Sequence, residues 1–290
     1  IAFHDNSSSI KGFKTQMMSP NSITHKYTIE DNRMNFVCTA ETHNFPTAVS
    51  PFPGAATGIG GRIRDVQATG RGAQPVCSSA GYCVGKLFLN EEDIKTEYPS
   101  NIAEPTKILI EASNGASDYG NKFGEPIVNG FTRSFRSNVN GERREWVKPI
   151  MFTAGLGIMR DIHTKKETPK KDMVICKIGG PVYKIGLGGS TASSRVSNNK
   201  DAELDYNAVQ RDDPQMEQKM NKVIRACSEL GDANPILSIH DQGAGGNGNV
   251  LKELIDGLGA KLNLDNLQYG TRNISVIETW LSEYQESNAL

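Results

Sequence analysis

Residues Gly54 to Gly61 (GAATGIGG) constrain the fold most, because nearly every side chain in this stretch is a hydrogen or a methyl group. Such a stretch buries little side-chain surface, so it suits a place where another backbone or a ligand comes very close. A strand-like run precedes it at residues 34–40, and Arg62, Arg64 and Asp65 follow it. We predict a loop whose backbone N–H groups approach a phosphate; a tight turn with nothing bound is the competing interpretation.

The side chains on either side of this stretch have chemistry that suits such a ligand. Glu41 and His43 end the strand-like run two residues apart, which places them on one side of a strand. The arginines are cations for anionic oxygens, and Asp65 is a hard carboxylate of the kind that Mg²⁺ binds. The chain contains no Walker A motif, and Gly58-x-Gly60 is followed by Ile63 where a dinucleotide fingerprint has its third glycine. The pattern therefore predicts a nucleotide and metal site of another kind.

Charge and cysteine content limit the class of protein. With 32 basic and 33 acidic residues, the chain gives no reason to expect nucleic acid or an anionic membrane as a partner. No apolar run approaches the roughly 20 residues of a membrane-spanning helix. The five cysteines lack a C-x-x-C spacing, which favours free thiols in a reducing cytosol over zinc or disulfides.

Two domains are predicted, residues 1–160 and 173–290, with the charged, proline-containing segment 161–172 as the linker. Residues 1–32 are polar and are predicted to be irregular, and Asn140-Gly141 is predicted to form a hairpin turn. Loops or turns are also predicted at residues 113–120 and 129–131. Strands are predicted at residues 34–40, 76–89, 107–112, 151–159, 173–178, 236–239 and 280–290.

The second domain contains the clearest helix signals. Asp213 is a predicted N-cap, Pro214 suits the first helical position, and Gly231 is a predicted stop. Farther on, the glycine-rich residues 240–249 follow a predicted strand, and a helix is predicted to begin near Val250. The free N–H groups of such a helix start favour an anion, and Asp241 there is either a Mg²⁺ ligand or a cap. A second glycine cluster at residues 179–190 suits either a phosphate or close packing.

Long blocks of the sequence, in the same order, resemble a known enzyme family. They are ETHNFP (41–46), PGAATGIGGRIRDVQATGRGA (53–73), EASNGASDYGNKFGEPIVNGF (111–131), VQRDDPQMEQKM (209–220) and GDANPILSIHDQGAGGNGNVLKEL (231–254). They resemble the first catalytic half of phosphoribosylformylglycinamidine (FGAM) synthase, large single-chain type. The resemblance implies an α+β N-domain, whose sheet forms a barrel with a second such domain, followed by a three-layer α/β C-domain. Both are of the aminoimidazole-ribonucleotide-synthetase-like kind.

The resemblance also implies the reaction of a C–N ligase of purine biosynthesis. Formylglycinamide ribonucleotide, ATP, glutamine and water give FGAM, ADP, phosphate and glutamate. ATP converts the amide oxygen to an iminophosphate leaving group, and ammonia from glutamine replaces it. The implied cofactors are ATP and Mg²⁺.

Particular residues take implied roles from the same resemblance. His43 is the implied catalytic residue, as a general base or as the group that orients the amide. The implied Mg²⁺ ligands are Glu41, Asp65 and Asp241. The implied ATP-binding residues are Gly54, Ala55, Ala56, Thr57, Gly58, Ile59, Gly60, Gly61, Arg62, Ile63, Arg64, Asp65, Asn129, Gly130 and Phe131. The implied substrate-binding residues are Thr42, His43, Asn44, Phe45, Arg64, Gln210, Glu283, Tyr284 and Gln285.

The expected partners are parts of a longer polypeptide: a second synthetase half and a glutaminase domain. A homodimer of this piece could replace the missing half. The C-domain is expected to be incomplete, and the family's upstream catalytic histidine is expected to precede this chain, with His4 facing solvent. The alternatives are a folded, nucleotide-binding but inactive piece, or another ATP-dependent synthetase of the same superfamily.

Overall fold

The structure is a computed structural model that describes residues 5–21, 23–88, 98–194, 205–206 and 208–290. His4 and most of the acidic segment before Pro105 lie outside these ranges. None of the described helices is long and apolar enough to cross a membrane.

The first domain is built on a five-stranded sheet. Its strands are joined in the order β1-β2-β7-β3-β4, and each pair is antiparallel except β3 with β4. A separate hairpin pairs β5 with β6. The strands are β1 (Ser8–Pro20), β2 (Tyr27–Thr42), β3 (Gln74–Val84), β4 (Ile127–Ser134), β5 (Arg136–Val139), β6 (Glu142–Glu145) and β7 (Ile150–Arg160).

Several sequence predictions for this sheet are confirmed and others are wrong. The predicted strands at residues 76–89 and 151–159 correspond to β3 and β7, and Asn140 and Gly141 form the predicted turn with φ of 53° and 81°. Residues 1–32 were expected to be irregular, yet β1 and the start of β2 form a long antiparallel ladder. Polar residues dominate this segment because most of its side chains are exposed.

Three helices pack together beside this sheet: α1 (Asn44–Val49), α2 (Pro51–Gln67) and α3 (Pro105–Phe123). The predicted strand at residues 107–112 and loop at residues 113–120 are wrong, because both belong to α3. Pro105 starts this helix and Gly124, with φ of 96°, ends it in the left-handed conformation. Its buried side chains, including Ile108, Ala112 and Tyr119, share one helical face and join the main core.

The second domain has a short three-stranded antiparallel sheet, in the order β8-β10-β9, with helices beside it. The strands are β8 (Lys177–Gly179), β9 (His240–Asp241) and β10 (Ser287–Ala289), and the helices are α4 (Gly189–Ser194), α5 (Pro214–Glu229), α6 (Gly246–Leu254) and α7 (Val276–Leu281). The predicted strands at 173–178 and 280–290 are therefore mostly wrong in extent. Residues 236–239 form no strand, although Ile236 and Ile239 are buried.

Helix α5 confirms the cap prediction and joins the two domains. The Asp213 carboxylate accepts a hydrogen bond from the Met216 amide at 3.0 Å, and Gly231 follows the helix with φ of 62°. Ile224 of this helix packs with Ala68, which directly follows α2. One apolar cluster therefore contains residues of both domains and fixes their relative position.

Candidate functional site

A cavity of about 700 Å³ lies between the two domains. The first domain contributes the end of β2, α1 and α2, and the second contributes loops near Gln210, Asp241 and Glu283. The sequence-predicted residues that line it are Glu41, Thr42, His43, Asn44, Phe45, Thr57, Gly58, Gly61, Arg62, Arg64, Asp65, Gln210, Asp241, Glu283 and Gln285. The fold therefore places residues that are far apart in sequence around a single cavity.

His43 has a defined tautomer in this cavity. Its Nδ1 lies 2.6 Å from the carbonyl oxygen of Gly54. A carbonyl can only accept, so Nδ1 carries the proton and Nε2 keeps its lone pair. Burial lowers the pKa of His43 below its ordinary value of 6.5, although the hydrogen bond to Gly54 opposes this. The ring is therefore neutral near pH 7 and able to accept a proton or a hydrogen bond.

The glycine-rich stretch is a helix, so the predicted phosphate-binding loop is wrong. Its small residues allow close packing. A Cβ at Gly54 would lie 2.5 Å from the backbone of Pro46, and a Cβ at Gly60 would lie 2.5 Å from the hydroxyl of Tyr119. Only one side of α2 reaches the cavity. Gly54, Ala55, Ala56, Ile59, Gly60 and Ile63 do not line it.

The two arginines of α2 form ion pairs within the protein. Arg62 is fully buried and pairs with Glu125, its Nη1 donating to Oε1 at 2.7 Å. The expectation that its charge serves a ligand is thus at odds with this structure. Arg64 is also fully buried, and its Nη1 donates to Glu217 at 2.9 Å. In contrast to Arg62, it keeps donors without a partner among the described residues.

Glu41, Asp65 and Asp241 meet at one side of the cavity. Asn6 connects two of them, donating to Asp241 at 2.5 Å and to Asp65 at 3.4 Å. Burial, followed by the charges of Asp241 and Glu41, raises the pKa of Asp65 to about 8. Burial also raises the pKa values of Glu41 and Asp241. Within the described residues no group of three or more acidic, His or Cys side chains already has metal-binding geometry.

The C-domain residues of the cavity are held by Glu283. Its carboxylate accepts from the Gln210 amide at 2.9 Å and from the backbone N–H of Gly245 at 3.1 Å. Gly245 is the N-cap of α6, in the left-handed conformation with φ of 78°. The protein's own carboxylate therefore occupies part of the predicted anion site at this helix start. Tyr284 turns away and donates to Asn247 at 3.0 Å.

Asn129, Gly130 and Phe131 are separate from this cavity. The sequence suggested a turn, but they lie in strand β4 beside β3. They line a second cavity of about 440 Å³ with residues of α3. If these three residues bind the nucleotide as predicted, they do so in this second cavity and not in the one that His43 lines.

Sequence reasoning missed several residues that the structure places in or behind the cavity, and four of them are polar or charged side chains at or behind its wall. Asn6 and Lys148 line it, and Glu217 and Tyr119 hold Arg64 from behind. A usable signal existed for Glu217, because it shares the buried face of α5 with Met220 and Ile224 at helical spacing. An acid within an apolar stripe indicates a buried charged partner.

Comparison with known families supports one class for this fold and cavity. Residues 25–159 match the N-terminal domain of AIR synthase related proteins, and residues 170–290 match the C-terminal domain. Together these two models account for most of the chain. The chain therefore belongs to the AIR synthase related proteins.

Within that class, similar curated proteins include phosphoribosylformylglycinamidine synthases. The chain is 54% identical over 301 residues to the one from Dictyostelium discoideum and 54% identical over 299 residues to the one from Homo sapiens. Each alignment covers 100% of this chain and 22% of the relative, so the chain spans about a fifth of their length.

Solved structures agree on the fold. T. maritima PurL complexed with FGAR has a TM-score of 0.69 at 24% identity, over 94% of this chain and 40% of that one. T. maritima PurL complexed with ADP has a TM-score of 0.66 at 21% identity, over 100% of this chain and 38% of that one. At these identities the likeness establishes the two-domain architecture.

Proposed function

We propose that this chain carries a synthetase site that activates the amide of formylglycinamide ribonucleotide with ATP, so that ammonia converts it to FGAM. The observation that carries the proposal is the cavity of about 700 Å³ between the domains, which His43, Arg64, Asp65 and Asp241 all line. The names of the similar proteins and the FGAR and ADP bound to T. maritima PurL support the same chemistry.

The side chains suit that reaction. A neutral His43 presents Nε2 as an acceptor, so it can orient the amide or take a proton from ammonia. Phosphoryl transfer needs positioning and neutralisation of charge more than covalent help. Arg64 supplies a fixed positive charge, and its own side chain is fully buried.

Glu41, Asp65 and Asp241 are the residues that we propose to hold Mg²⁺. Their oxygens are the hard ligands that this ion prefers. Their raised pKa values, caused first by burial and also by mutual repulsion at Asp65 and Glu41, fit a site that a dication would stabilise. When bound with ATP, Mg²⁺ supplies charge neutralisation for the phosphate oxygens.

Calorimetric titration of Mg·ADP tests the proposal. We expect Mg²⁺-dependent binding to the wild-type chain and its loss in Asp65→Asn, which keeps the side-chain shape but cannot ionise to give Mg²⁺ an anionic oxygen. Asp118→Asn is the matched control, because that carboxylate lies on α3 and pairs with Lys122 away from the cavity. Equal binding by all three proteins, or none by folded wild type, would contradict the proposal.

A second sheet is the proposed partner for the exposed side of β1 and β2. Apolar side chains lie together on one face of this ladder while exposed to solvent: Ile10 (58%) is opposite Phe36 (45%), and the ring of Phe13 (76%) lies 6.5 Å from that of Phe36. We propose that the second synthetase half covers them in a longer chain, and that a second copy does so in the isolated chain. A monomeric mass by light scattering would contradict the dimer. Ammonia would come from a glutaminase domain of that longer chain.

We also propose a cytosolic location. All five cysteines are free thiols, which suits a reducing compartment. One plant relative is named chloroplastic/mitochondrial, so organelle fractions are the informative comparison. Recovery of the protein only from organelles would contradict this proposal.

A further inference from the structure

The guanidinium of Arg64 is held on one side only. Its Nη1 donates to Glu217 Oε2 at 2.9 Å and lies 3.9 Å from Glu286 Oε1. Its Nε and Nη2 have no hydrogen-bond partner among the described residues, although the side chain is 0% exposed. Buried donors without an acceptor are costly. Since Arg64 lines the main cavity, the free Nε–Nη2 edge indicates an acceptor that arrives with a ligand.

The groups that hold Arg64 come mainly from the other domain. Glu217 lies on α5 and Glu286 directly precedes β10. Tyr119 of α3 supports both carboxyls, its hydroxyl lying 3.1 Å from Glu217 Oε2 and 3.1 Å from Glu286 Oε1. Tyr119 and Glu217 are 0% exposed and Glu286 is 4% exposed. The direction of the Arg64 side chain therefore depends on how α5 is docked against α2.

We propose that Glu217 is a positioning residue for an oxyanion site: it anchors Arg64 Nη1 so that the Nε–Nη2 edge binds two oxygens of a ligand phosphate group. One edge of a guanidinium matches two oxygens of a phosphate in a bidentate pair. This inference rests on the proposed function only in that phosphorylated substrates enter the cavity.

Gly61 leaves space beside Arg64 Nη2 because it has no side chain. It also lines the cavity, and a Cβ at this position would lie 3.6 Å from Arg64 Nη2, with no other heavy atom within 4 Å. A methyl group would thus fit without a clash and still occupy space beside Nη2 that a phosphate oxygen needs.

The first experiment measures binding of ribose 5-phosphate without metal and of Mg·ADP, the two sources of a phosphate group, by calorimetry. We expect wild type to bind at least one probe. Glu217→Ala should weaken that binding by roughly tenfold or more, and Glu217→Gln, whose amide oxygen still accepts from Nη1, should restore part of it. If Glu217→Ala weakens the binding of only one probe, the phosphate group of that probe is the one that contacts Arg64.

The second experiment separates positioning from stability. Gly61→Ala should raise the melting temperature by about 2–4 °C, because alanine favours a helix interior. It should nevertheless weaken binding by roughly tenfold, the equivalent of one lost hydrogen bond to the guanidinium. Gly259→Ala is the control, since it is exposed and has no heavy atom within 4 Å of its added Cβ.

Unchanged affinity of folded Glu217→Ala would make Glu217 a purely structural residue and overturn the proposal. If that variant does not fold, unchanged affinity in Gly61→Ala overturns it equally, as does a wild type that binds neither probe. The proposed function fails separately, when Mg·ADP binding is insensitive to Asp65→Asn. A folded wild type that binds neither probe overturns both ideas, whereas each of the other outcomes overturns only one of them.

Discussion

The buried pair of Arg62 and Glu125 gives the most decisive prediction about this fold. Arg62 is 0% exposed and Glu125 is 1% exposed at the side chain, and Arg62 Nε also lies 3.4 Å from the Thr153 hydroxyl. Arg62→Met would leave the carboxylate buried with neither water nor a cation. Breaking a buried pair from one side costs about 3–5 kcal/mol.

Urea unfolding followed by circular dichroism measures this loss. For an m-value of about 3 kcal/mol/M, a loss of about 4 kcal/mol lowers the unfolding midpoint by about 1.3 M. The double variant Arg62→Met with Glu125→Leu removes the stranded charge as well. We expect it to recover most of the stability, because apolar replacement of a whole buried pair is often neutral.

Two results would refute this reasoning. A single variant Arg62→Met that loses less than about 1 kcal/mol would show that the carboxylate does not depend on the arginine. A stable Arg62→Met that no longer binds Mg·ADP would instead support the role in ATP binding that the sequence suggested for Arg62.

Three further predictions test other contacts. Gly60→Ala places a Cβ 2.5 Å from the buried hydroxyl of Tyr119, so the melting temperature should fall by an amount that corresponds to about 1–3 kcal/mol, and an unchanged value would contradict the tight packing. Asp213→Ala removes the cap on the Met216 amide and should cost about 1 kcal/mol in urea, whereas Asp213→Asn should cost little. Burial raises the pKa of Glu286 from 4.5 to about 8. The stability that the protonated carboxyl contributes is therefore complete below pH 4.5 and is lost as the pH rises through 8. In Glu286→Gln the urea midpoint should change less with pH between 5 and 8 than in wild type, and an equal pH dependence would argue against a buried proton.

Local signals in the sequence were sufficient where the structure depends on neighbours in sequence. The cap at Asp213, the stop at Gly231 and the turn at Asn140-Gly141 were predicted correctly, because each depends on a few adjacent backbone groups. The run KILIEA at residues 107–112 was misassigned as a strand. Short apolar runs fit either structure, although Pro105 and Gly124 mark the ends of a helix.

Other features depend on tertiary packing and could not be predicted from the local sequence. Four glycines in an eight-residue stretch disfavour a helix, yet α2 is a helix. At Gly54, Gly58 and Gly60 the neighbouring atoms leave no room for a larger side chain. The partners responsible, the Pro46 backbone and the Tyr119 hydroxyl, are not apparent from the glycines themselves. Likewise, nothing near Arg62 in sequence indicates Glu125 as its partner. For Arg64 a signal was present but was missed, namely the acidic Glu217 on the apolar face of α5.

The strand order of the small C-domain sheet has a consequence for folding during synthesis. β10 is the central strand and pairs with both β8 and β9. A ribosome makes β8 and β9 first, and both must wait without their ladder partner until residues 287–289 emerge. Domains generally fold as units during translation, and unpaired strand edges are prone to aggregation in the meantime. The first domain, whose sheet is complete once β7 has been made, can fold earlier and offer α2 as a surface on which the later elements assemble.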